Sequence, residues 1–242
     1  MLRARGQATG PSPTFQGIAY HEGLANGWSR RYRRGGFRRR ATFFEEAILS
    51  RASCTGDWID VGCGSGHFSR MLARRGAAVL GIDGSPAMIA AARAFPASQQ
   101  QRYRLQRIED LAGQDAQFDG VLCLSVLEYL DDPPATFAAI ARMLKPGGYL
   151  IASAPNRNAG LRRLQLAARR LAAAFGVKLF AYLDSSRHSW SRDEFAALAD
   201  EHGLTRRQIE GFDPLAPRRL WNIAPPSLLF LVCQKPAAGC AA

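Results

Sequence analysis

Short apolar runs alternate with amphipathic segments along the middle of the chain. The apolar runs predict β-strands at residues 57–61, 78–82, about 103–108, 118–123 and 148–153. The segments between them predict helices at residues 67–75, 86–94 and about 134–143. Ser191 to Glu194 form a capping box that begins a further helix, which ends near Gly203. Strands that alternate with helices form a parallel, doubly wound sheet with helices on both faces, so the predicted fold class is α/β.

One domain with an N-terminal extension accounts for the whole chain. Its 242 residues, 47% of them hydrophobic, are enough for one sizeable core, and no second domain is needed. Residues 1–17 are polar and rich in Gly, Pro and Ser, which predicts a flexible tail, and residues 23–50 are predicted to be helical. The other boundaries are 18–52 for an N-terminal helical cap, 53–236 for the α/β domain, 157–190 for a basic helical insert or lid within it, and 237–242 for a second tail.

Arginine dominates the charge of the chain. The net charge is +12 at pH 7, and almost all of the 32 basic residues are arginines. They concentrate in two patches, at residues 30–40 and 162–170. The first patch has three interpretations: a solvated helix face, a clamp for an anionic group at Arg39 or Arg40, and a nucleic-acid surface.

Neither a disulfide framework nor a zinc site is predicted, because the five cysteines are odd in number and lack C-x-x-C spacing. Residues 1–17 contain no continuous apolar core of a signal peptide. No run reaches the roughly 18 apolar residues of a membrane span. These features predict a reducing, cytoplasmic location.

The strongest chemical signal is Asp60-Val-Gly-Cys-Gly-Ser-Gly66, which lies between an apolar strand and a helix. Glycines at alternate positions let the loop turn sharply, so a ligand can lie against the backbone at the helix N-terminus. A dinucleotide-binding loop has the spacing G-x-G-x-x-G, but here His67 occupies the place of the third glycine. Asp60 would repel a phosphate and suits an ammonium group, so the loop predicts a cationic ligand.

A second acid narrows the ligand further. Asp83 ends the apolar run 78–82, close to the roughly 20-residue offset at which an acid binds ribose hydroxyls. The two acids together predict a ligand that has a ribose and an amine and that needs no pyrophosphate.

These two motifs, in this order, resemble those of the class I S-adenosylmethionine-dependent methyltransferases. Gly81-Ile-Asp-Gly-Ser-Pro-Ala-Met88 is similar to the family's second motif, Phe118 to Cys123 to its fourth strand, and Leu144 to Gly148 to its turn into the fifth strand. The resemblance covers about residues 55–235. It implies a Rossmann-like, seven-stranded mixed sheet, mostly parallel, whose closing antiparallel pair is formed by residues 204–212 and 227–234. It also implies S-adenosylmethionine as the cofactor.

The resemblance assigns cofactor contacts by position. It implies that Asp60 and the glycine loop hold the methionine moiety, that Asp83 holds the ribose hydroxyls, and that Met88 packs near the adenine. The implied cofactor-binding residues are Asp60, Gly62, Cys63, Gly64, Gly66, Asp83, Gly84, Met88, Ile108, Glu109 and Leu124, with Arg39 for the cofactor carboxylate. Many members of the family have an acid where this chain has Arg107.

The segment after the fourth strand, Cys123 to Tyr129, bears on the methyl acceptor. It lacks the [ND]-P-P-[YF] motif of enzymes that methylate base amino groups, which argues against a nucleic-acid acceptor. The stretches Ser125 to Pro133 and Ala152 to Asn158 resemble the ubiquinone-biosynthesis O-methyltransferases. Those enzymes have E-x-x-E-H, linked to a divalent metal, where this chain has Ser125, Glu128 and Tyr129, so no metal is predicted.

Candidates for the acceptor side come from segments with weaker resemblance. His188, in the loop 182–190, is the leading candidate for a general base, because a near-neutral imidazole can take a phenolic proton. Alternatively, it is a loop histidine that only hydrogen-bonds the backbone. Tyr129 and His21 are further candidates for the chemistry. The residues predicted to contact the substrate are Tyr20, Trp28, Ser125 and Trp190.

The basic insert predicts an amphipathic helix. One face carries Leu161, Leu164, Ala168, Leu171 and Phe175, and the other carries Arg162, Arg163, Arg169 and Arg170. Such a helix suits the surface of an anionic membrane. Alternatively, it packs on the domain as a substrate lid whose arginines are solvated.

Together these observations predict transfer of a methyl group from S-adenosylmethionine to a small molecule, foremost O-methylation of a phenolic, hydroxylated or acidic metabolite. Three alternatives stay open: N- or C-methylation of a small metabolite, an RNA methyltransferase that uses the arginine patches, and a non-catalytic binding protein. The chain is expected to act as a monomer or a homodimer.

Overall fold

A seven-stranded sheet forms the centre of the part of the chain that the structure describes. The computed structural model describes residues 13–96, 99–111, 115–177, 179, 182–221 and 224–237. The strands are β1 (Gly56–Val61), β2 (Ala77–Asp83), β3 (Gln101–Leu105), β4 (Phe118–Leu124), β5 (Leu144–Pro155), β6 (Thr205–Phe212) and β7 (Leu228–Gln234). They lie in the order β3-β2-β1-β4-β5-β7-β6, and only β7 runs antiparallel to its neighbours. The predicted Rossmann-like α/β fold, with its antiparallel closing strand, is confirmed.

Helices follow most of the strands along the chain. Those within the described residues are α1 (Pro13–Glu22), α2 (Trp28–Arg31), α3 (Gly35–Phe43), α4 (His67–Arg74), α5 (Pro86–Arg93), α6 (Pro133–Met143), α7 (Gly160–Ala174), α8 (Tyr182–Ser185) and α9 (Arg192–Glu201). The capping box of α9 forms as predicted, since the Glu194 amide donates to Ser191 Oγ and the Ser191 amide donates to Glu194 Oε2. None of these helices is long and apolar enough to cross a membrane.

The N-terminal segment differs from its predicted form in two ways. Helix α1 begins at Pro13, inside the segment 1–17 that the sequence assigns to a tail. The helix predicted over residues 23–50 is interrupted, because Gly27 adopts a left-handed φ of 92° and turns the chain between α1 and α2. The remainder of the predicted tails, residues 1–12 and 238–242, lies outside the described residues.

The predicted strand at about 103–108 is shifted towards the N-terminus. Strand β3 pairs only with β2, and its last residue, Leu105, lies opposite Asp83 at the end of β2. The Gln106 amide still donates to the Asp83 carbonyl oxygen at 3.1 Å, but β2 ends at Asp83, and the chain then forms a 3-10 helix at Ile108–Leu111. This turn brings Ile108 to the carboxyl edge of the sheet.

Two apolar clusters pack on opposite faces of the sheet. Along β1, Ile59 belongs to the cluster that contains Phe137 of α6, whereas Trp58 belongs to the cluster that contains Phe44 of the N-terminal segment. Successive strand residues point to opposite faces, so this alternation identifies the sheet as the central layer. A Cβ on Gly120 of β4 would collide with the Trp58 indole, so glycine at this position makes room for the ring on the neighbouring strand.

Candidate functional site

A deep cavity lies at the carboxyl ends of the parallel strands, where ligands bind in doubly wound sheets. Its volume is about 660 Å³. The loops after β1, β2 and β4 form one wall, and Ile18, Trp28 and Phe37 cover the cavity from the N-terminal helices. Most of the site residues predicted from sequence line it, namely Asp60, Gly62, Cys63, Gly64, Asp83, Gly84, Met88, Ile108, Glu109, Leu124, Tyr20, Trp28, Ser125 and Tyr129.

Gly62 and Gly64 are the loop glycines that face the cavity. Their φ angles are 68° and 52°, in the left-handed region that glycine adopts without strain. A Cβ on Gly62 would collide with the Val126 side chain, whereas a Cβ on Gly64 would enter the space below Trp28, 3.6 Å from its Nε1 atom. The loop therefore leaves room for a ligand between its backbone and the helices above it.

Gly66 does not line the cavity, so its predicted contact with a cofactor is corrected. It has a φ of 72° and lies at the N-terminus of α4. A Cβ at this position would collide with the Tyr103 hydroxyl, which donates to the Gly66 carbonyl oxygen at 3.5 Å. Glycine is required here by the turn and by the packing of Tyr103.

Asp60 and Asp83 lie at the ends of β1 and β2 with buried carboxylates. Burial raises the pKa of Asp60 to about 7, although the Ser69 hydroxyl donates to Asp60 Oδ2 at 2.5 Å and acts in the opposite direction. Burial also raises the pKa of Asp83, whose two oxygens accept hydrogen bonds from the Gly64 and Ser85 amides at 2.8 Å. A cationic group on a ligand would favour the charged form of both acids.

Apolar side chains line the part of the cavity formed by the segments after β2 and β3. They include Met88, which is 1% exposed, and Ile108. Ile18 of α1 closes this part of the cavity, since a Cβ on Gly84 would lie 2.7 Å from Ile18 Cδ1. At the rim, Arg107 Nε lies 3.3 Å from Glu109 Oε2, so the arginine that departs from the family pattern forms an ion pair with the next acid.

Arg40, and not Arg39, enters the cavity, which corrects the predicted carboxylate clamp. Arg39 is exposed on the outer side of α3, because successive residues of a helix point about 100° apart. The Arg40 guanidinium donates through Nη2 to Ser125 Oγ at 3.0 Å and to Ser153 Oγ at 3.3 Å. Its Nε is buried and has no hydrogen-bond partner among the described residues.

Aromatic rings surround His21, which also lines the cavity. Its imidazole lies edge-on to Tyr20, Trp28 and Tyr129, with ring centroids 5.2, 5.5 and 5.0 Å away. Nδ1 lies 2.8 Å from the Gly17 carbonyl oxygen, which only accepts hydrogen bonds, so Nδ1 carries the proton and Nε2 is an acceptor. Burial lowers the pKa of His21, which keeps this imidazole neutral at pH 7.

His188 and Trp190 lie outside the cavity, so their predicted roles are corrected. His188 Nε2 lies 3.0 Å from the carbonyl oxygen of Leu130, as in the alternative interpretation of a loop histidine that bonds the backbone. Trp190 forms an isolated bridge with Asn156, and its ring lies 6.0 Å from that of Phe195. Both residues attach the loop 182–190 to the domain.

Glu128 is a cavity residue that the site prediction omitted. It is 3% exposed, and burial raises its pKa to about 7. Its Oε2 atom is buried without a hydrogen-bond partner among the described residues. The signal in the sequence was its place in the segment where related enzymes carry metal-linked acids. The described residues contain no group of three or more His, Cys, Asp or Glu side chains arranged to hold a metal.

Known proteins that are similar to this chain share its central motifs. The family model described as "Methyltransferase domain" matches residues 59–152. A ubiquinone biosynthesis O-methyltransferase from Xanthomonas oryzae pv. oryzae (strain PXO99A) is 47% identical over 102 residues, which cover 41% of this chain and 43% of that protein. A protein of the same description from Xylella fastidiosa (strain M23) is 38% identical over 172 residues, which cover 68% of this chain and 67% of that protein. The chain belongs to the class I S-adenosylmethionine-dependent methyltransferases.

Solved structures of this family share the fold described above. The structure of magnesium protoporphyrin IX methyltransferase from Synechocystis PCC 6803 with bound SAH superposes with a TM-score of 0.68. The two chains are 18% identical, and the superposition covers 93% of this chain and 100% of the other, a likeness that concerns the fold alone. The sequence matches cover less of the relatives than this superposition does. The chain spans 43% of the length of the first curated relatives that it matches.

The cavity fits the cofactor that the family name implies. The buried Arg40 Nε without a partner suits a ligand carboxylate, and the buried acid Asp60 suits a ligand ammonium group. Gly64 has no side chain and lines the cavity, so a ligand can approach its backbone, and the apolar side chains of Met88 and Ile108 in the same lining suit a flat ring. The carboxylate and the ammonium group of the cofactor's amino-acid part therefore each have a complementary group in this chain.

Proposed function

We propose that this protein transfers a methyl group from S-adenosylmethionine to a hydroxyl group of a small molecule. The observation that carries the proposal is one cavity of about 660 Å³ that is lined by two chemically different sets of residues. One set is Asp60, Asp83 and the loop glycines, and the other is the aromatic group of Tyr20, His21 and Tyr129. A donor and an acceptor bound in one cavity are held close and aligned, which is most of what a methyl displacement requires.

Four sets of residues would hold the cofactor. Asp60 would bind its ammonium group, and Arg40 would donate from Nε to its carboxylate. Asp83 would accept from the ribose hydroxyls, while Met88 and Ile108 would enclose the adenine. When bound, the cofactor supplies a methyl group on a positively charged sulfur, which an acceptor oxygen can attack.

Helix α1 would exclude water from the acceptor. It packs tightly on the turn after β4, since a Cβ on Gly17 would lie 2.9 Å from Tyr129 Cβ. The neutral His21 imidazole lines the cavity and can accept a hydrogen bond from an acceptor hydroxyl through Nε2. An enclosed site strengthens such polar contacts and prevents reaction with water.

Two observations favour a small hydroxyl compound over other acceptors. The relatives from Xanthomonas and Xylella are described as O-methyltransferases, which supports oxygen as the acceptor atom. Arg33, Arg34, Arg38 and Arg39 are exposed and do not line the cavity, so most of the first arginine patch faces away from the site where the methyl acceptor would bind.

The same proposal includes contact between α7 and an anionic membrane. Leu164, Leu171 and Phe175 are 65%, 66% and 77% exposed, on a helix rich in arginine. Leu161 of the same helix lines the cavity, which is compatible with a lid as well.

Co-sedimentation with phosphatidylglycerol vesicles should fall several-fold when Leu164, Leu171 and Phe175 are changed to Ser. Leu220→Ser, another exposed leucine outside α7, is the control. Equal binding by both variants would remove the membrane contact from the proposal.

The deciding experiment combines labelled S-adenosylmethionine with a metabolite extract of the producing cell. Mass spectrometry should find one small hydroxyl compound that gains a methyl group as S-adenosylhomocysteine forms. Asp83→Ala should abolish both cofactor binding and the labelled product. Cofactor binding without any product would favour a binding protein, and label in RNA would favour an RNA methyltransferase.

A further inference from the structure

The fold buries the Glu128 carboxylate beside the cavity and leaves one of its two oxygens without a hydrogen-bond partner among the described residues. The residue lies in the 3-10 turn Leu127–Tyr129 that follows β4, and it is 3% exposed. It lines the cavity, and its Oε2 has no hydrogen-bond partner among the described residues. A buried carboxylate oxygen in this state is costly to the folded protein, and a hydrogen-bond donor on a ligand would remove that cost.

The other carboxylates that line the cavity, within the described residues, are already engaged. Asp60 accepts from the Ser69 hydroxyl, Asp83 accepts from two backbone amides, and Glu109 pairs with Arg107. Glu128 lies on the turn that carries Tyr129, whose ring centroid is 5.0 Å from that of His21.

The backbone holds Glu128 firmly in this position. Ser125, three residues earlier, has a φ of 54°, a conformation that only a few non-glycine residues adopt and that clusters at functional sites. Its amide donates to Ser153 Oγ at 3.0 Å. From the other side, the amides of Arg187 and His188 donate to the Glu128 carbonyl oxygen at 3.0 and 3.3 Å. The loop 182–190 therefore positions this carboxylate even though His188 lies outside the cavity.

Charged and titratable groups face Glu128 from three elements. Arg40 of α3 and Arg162 of α7 lower its pKa but do not neutralise it, because each donates to serine oxygens instead. Burial, with the charge of Glu128, raises the pKa values of Cys123 and Tyr129, so both stay protonated at neutral pH. Glu128 is thus the acidic group of this cluster that can change its protonation near pH 7.

We propose that Glu128 is the general base for the methyl acceptor and that the acceptor is an uncharged hydroxyl compound, not a carboxylate. This inference rests on the proposed function and narrows its substrate class. The acceptor hydroxyl donates its hydrogen bond to Oε2, the oxygen that the protein leaves without a partner. A carboxylate in the same place would be repelled by Glu128 and would have no proton to donate.

The step balances within the cavity. The acceptor oxygen forms a bond to the methyl carbon, the bond from that carbon to sulfur breaks, and its electron pair remains on sulfur, which becomes neutral. The hydroxyl proton passes to Glu128 Oε2 and leaves to solvent when the product is released. The positive charges of Arg40 and Arg162 lower the pKa of Glu128 and so favour the carboxylate form that accepts this proton.

The test uses the full chain, tritium-labelled S-adenosylmethionine and the acceptor purified from the metabolite extract. Glu128→Gln should lower kcat about 100-fold or more, with little change in KM or in the Kd for S-adenosylmethionine. The wild-type rate should rise with pH and level off above the pKa of the base. The Glu128→Gln rate should rise without levelling, because the acceptor hydroxyl must then ionise by itself. Glu128→Asp keeps the carboxylate and should retain the wild-type inflection at a lower rate.

The control is Glu201→Gln, an exposed acid at the end of α9. Three results would overturn the proposal: a wild-type rate and pH profile in Glu128→Gln, loss of cofactor binding together with activity, or wild-type activity that a chelator removes and Mg²⁺ restores. The last result would make Glu128 a metal ligand. If the wild-type chain labels no acceptor at all, the proposed function itself fails, which is a different outcome from an active Glu128→Gln variant.

Discussion

The Glu22 carboxylate, at the end of α1, accepts a hydrogen bond from the Ser85 hydroxyl at the start of α5. Its other oxygen lies 3.2 Å from the Ala87 amide, so Glu22 caps a helix from which it is distant in sequence. Negative charge at a helix N-terminus is favourable. This contact attaches the helix that covers the cavity to the loop that follows Asp83.

We expect Glu22→Gln to weaken cofactor binding by loosening α1. The amide keeps the shape of the side chain but removes the charge, which is worth roughly 0.3–1 kcal/mol at a helix N-terminus. The Kd for S-adenosylmethionine, measured by calorimetry, should therefore rise about threefold, and trypsin should cleave the 30–34 arginine segment faster. Glu46→Gln, at an exposed acid of the N-terminal segment, is the control. Wild-type affinity in Glu22→Gln would mean that α1 stays closed without this contact.

Neighbouring arginines provide a matched pair of variants. Arg40→Ala removes the guanidinium whose Nε is buried in the cavity, whereas Arg39→Ala removes an exposed one. A lost charge-assisted contact of about 1.5–3 kcal/mol corresponds to a rise of roughly 10- to 100-fold in the Kd for S-adenosylmethionine. We expect that rise for Arg40→Ala and less than twofold for Arg39→Ala. Equal effects of the two variants would point to general electrostatic attraction instead of a specific contact.

Stability should depend on pH through Asp60. Its pKa rises from 3.8 to about 7 on folding, so the folded state holds the proton more tightly. The free energy of unfolding therefore falls as pH rises through this window, and the whole cost is present above about pH 7. A pKa difference of one corresponds to about 1.4 kcal/mol, so Asp60→Asn should stabilise the cofactor-free protein by at least about that much at pH 8. It should have little effect at pH 4.

Urea unfolding without cofactor, at both pH values, checks the prediction for Asp60. Asp57→Asn is the control, because this aspartate is exposed on the same strand. Destabilisation of Asp60→Asn at pH 8 would show that the buried carboxylate is charged and well paired in the empty protein.

The predicted site residues that line the cavity are mostly those whose positions depend on short segments. Gly62, Gly64 and Asp83 lie in motifs where a strand, a turn and a helix follow one another directly. Their positions in the cavity follow from chain geometry within about ten residues. The alternation of apolar runs predicted the sheet for the same reason, since periodicity is a local property.

The errors concern contacts between segments that are distant in sequence. Arg40 donates to Ser125 and Ser153, which are 85 and 113 residues away in the sequence. Arg39 is its neighbour on α3, and the two side chains point in directions about 100° apart. No local pattern determines which of the two faces the cavity. Glu128 likewise cannot be recognised as unusual from its local sequence. Its environment is set by Arg40 and Arg162, which belong to two other elements and lie near it without pairing with it.

His188 and His21 provide the last comparison, because one lies outside the cavity and the other lines it. The His188 ring bonds the Leu130 carbonyl oxygen at 3.0 Å, so His188→Ala should cost about 1 kcal/mol of stability and leave the rate within about twofold. His21→Ala removes an acceptor and a ring contact from the cavity wall, so it should lower kcat/KM about tenfold or more while stability changes less than activity. Single-turnover assays with the identified acceptor, together with urea unfolding, distinguish the two effects. A large loss of rate in His188→Ala with unchanged cofactor affinity would require the loop 182–190 to bring this histidine into the cavity during turnover.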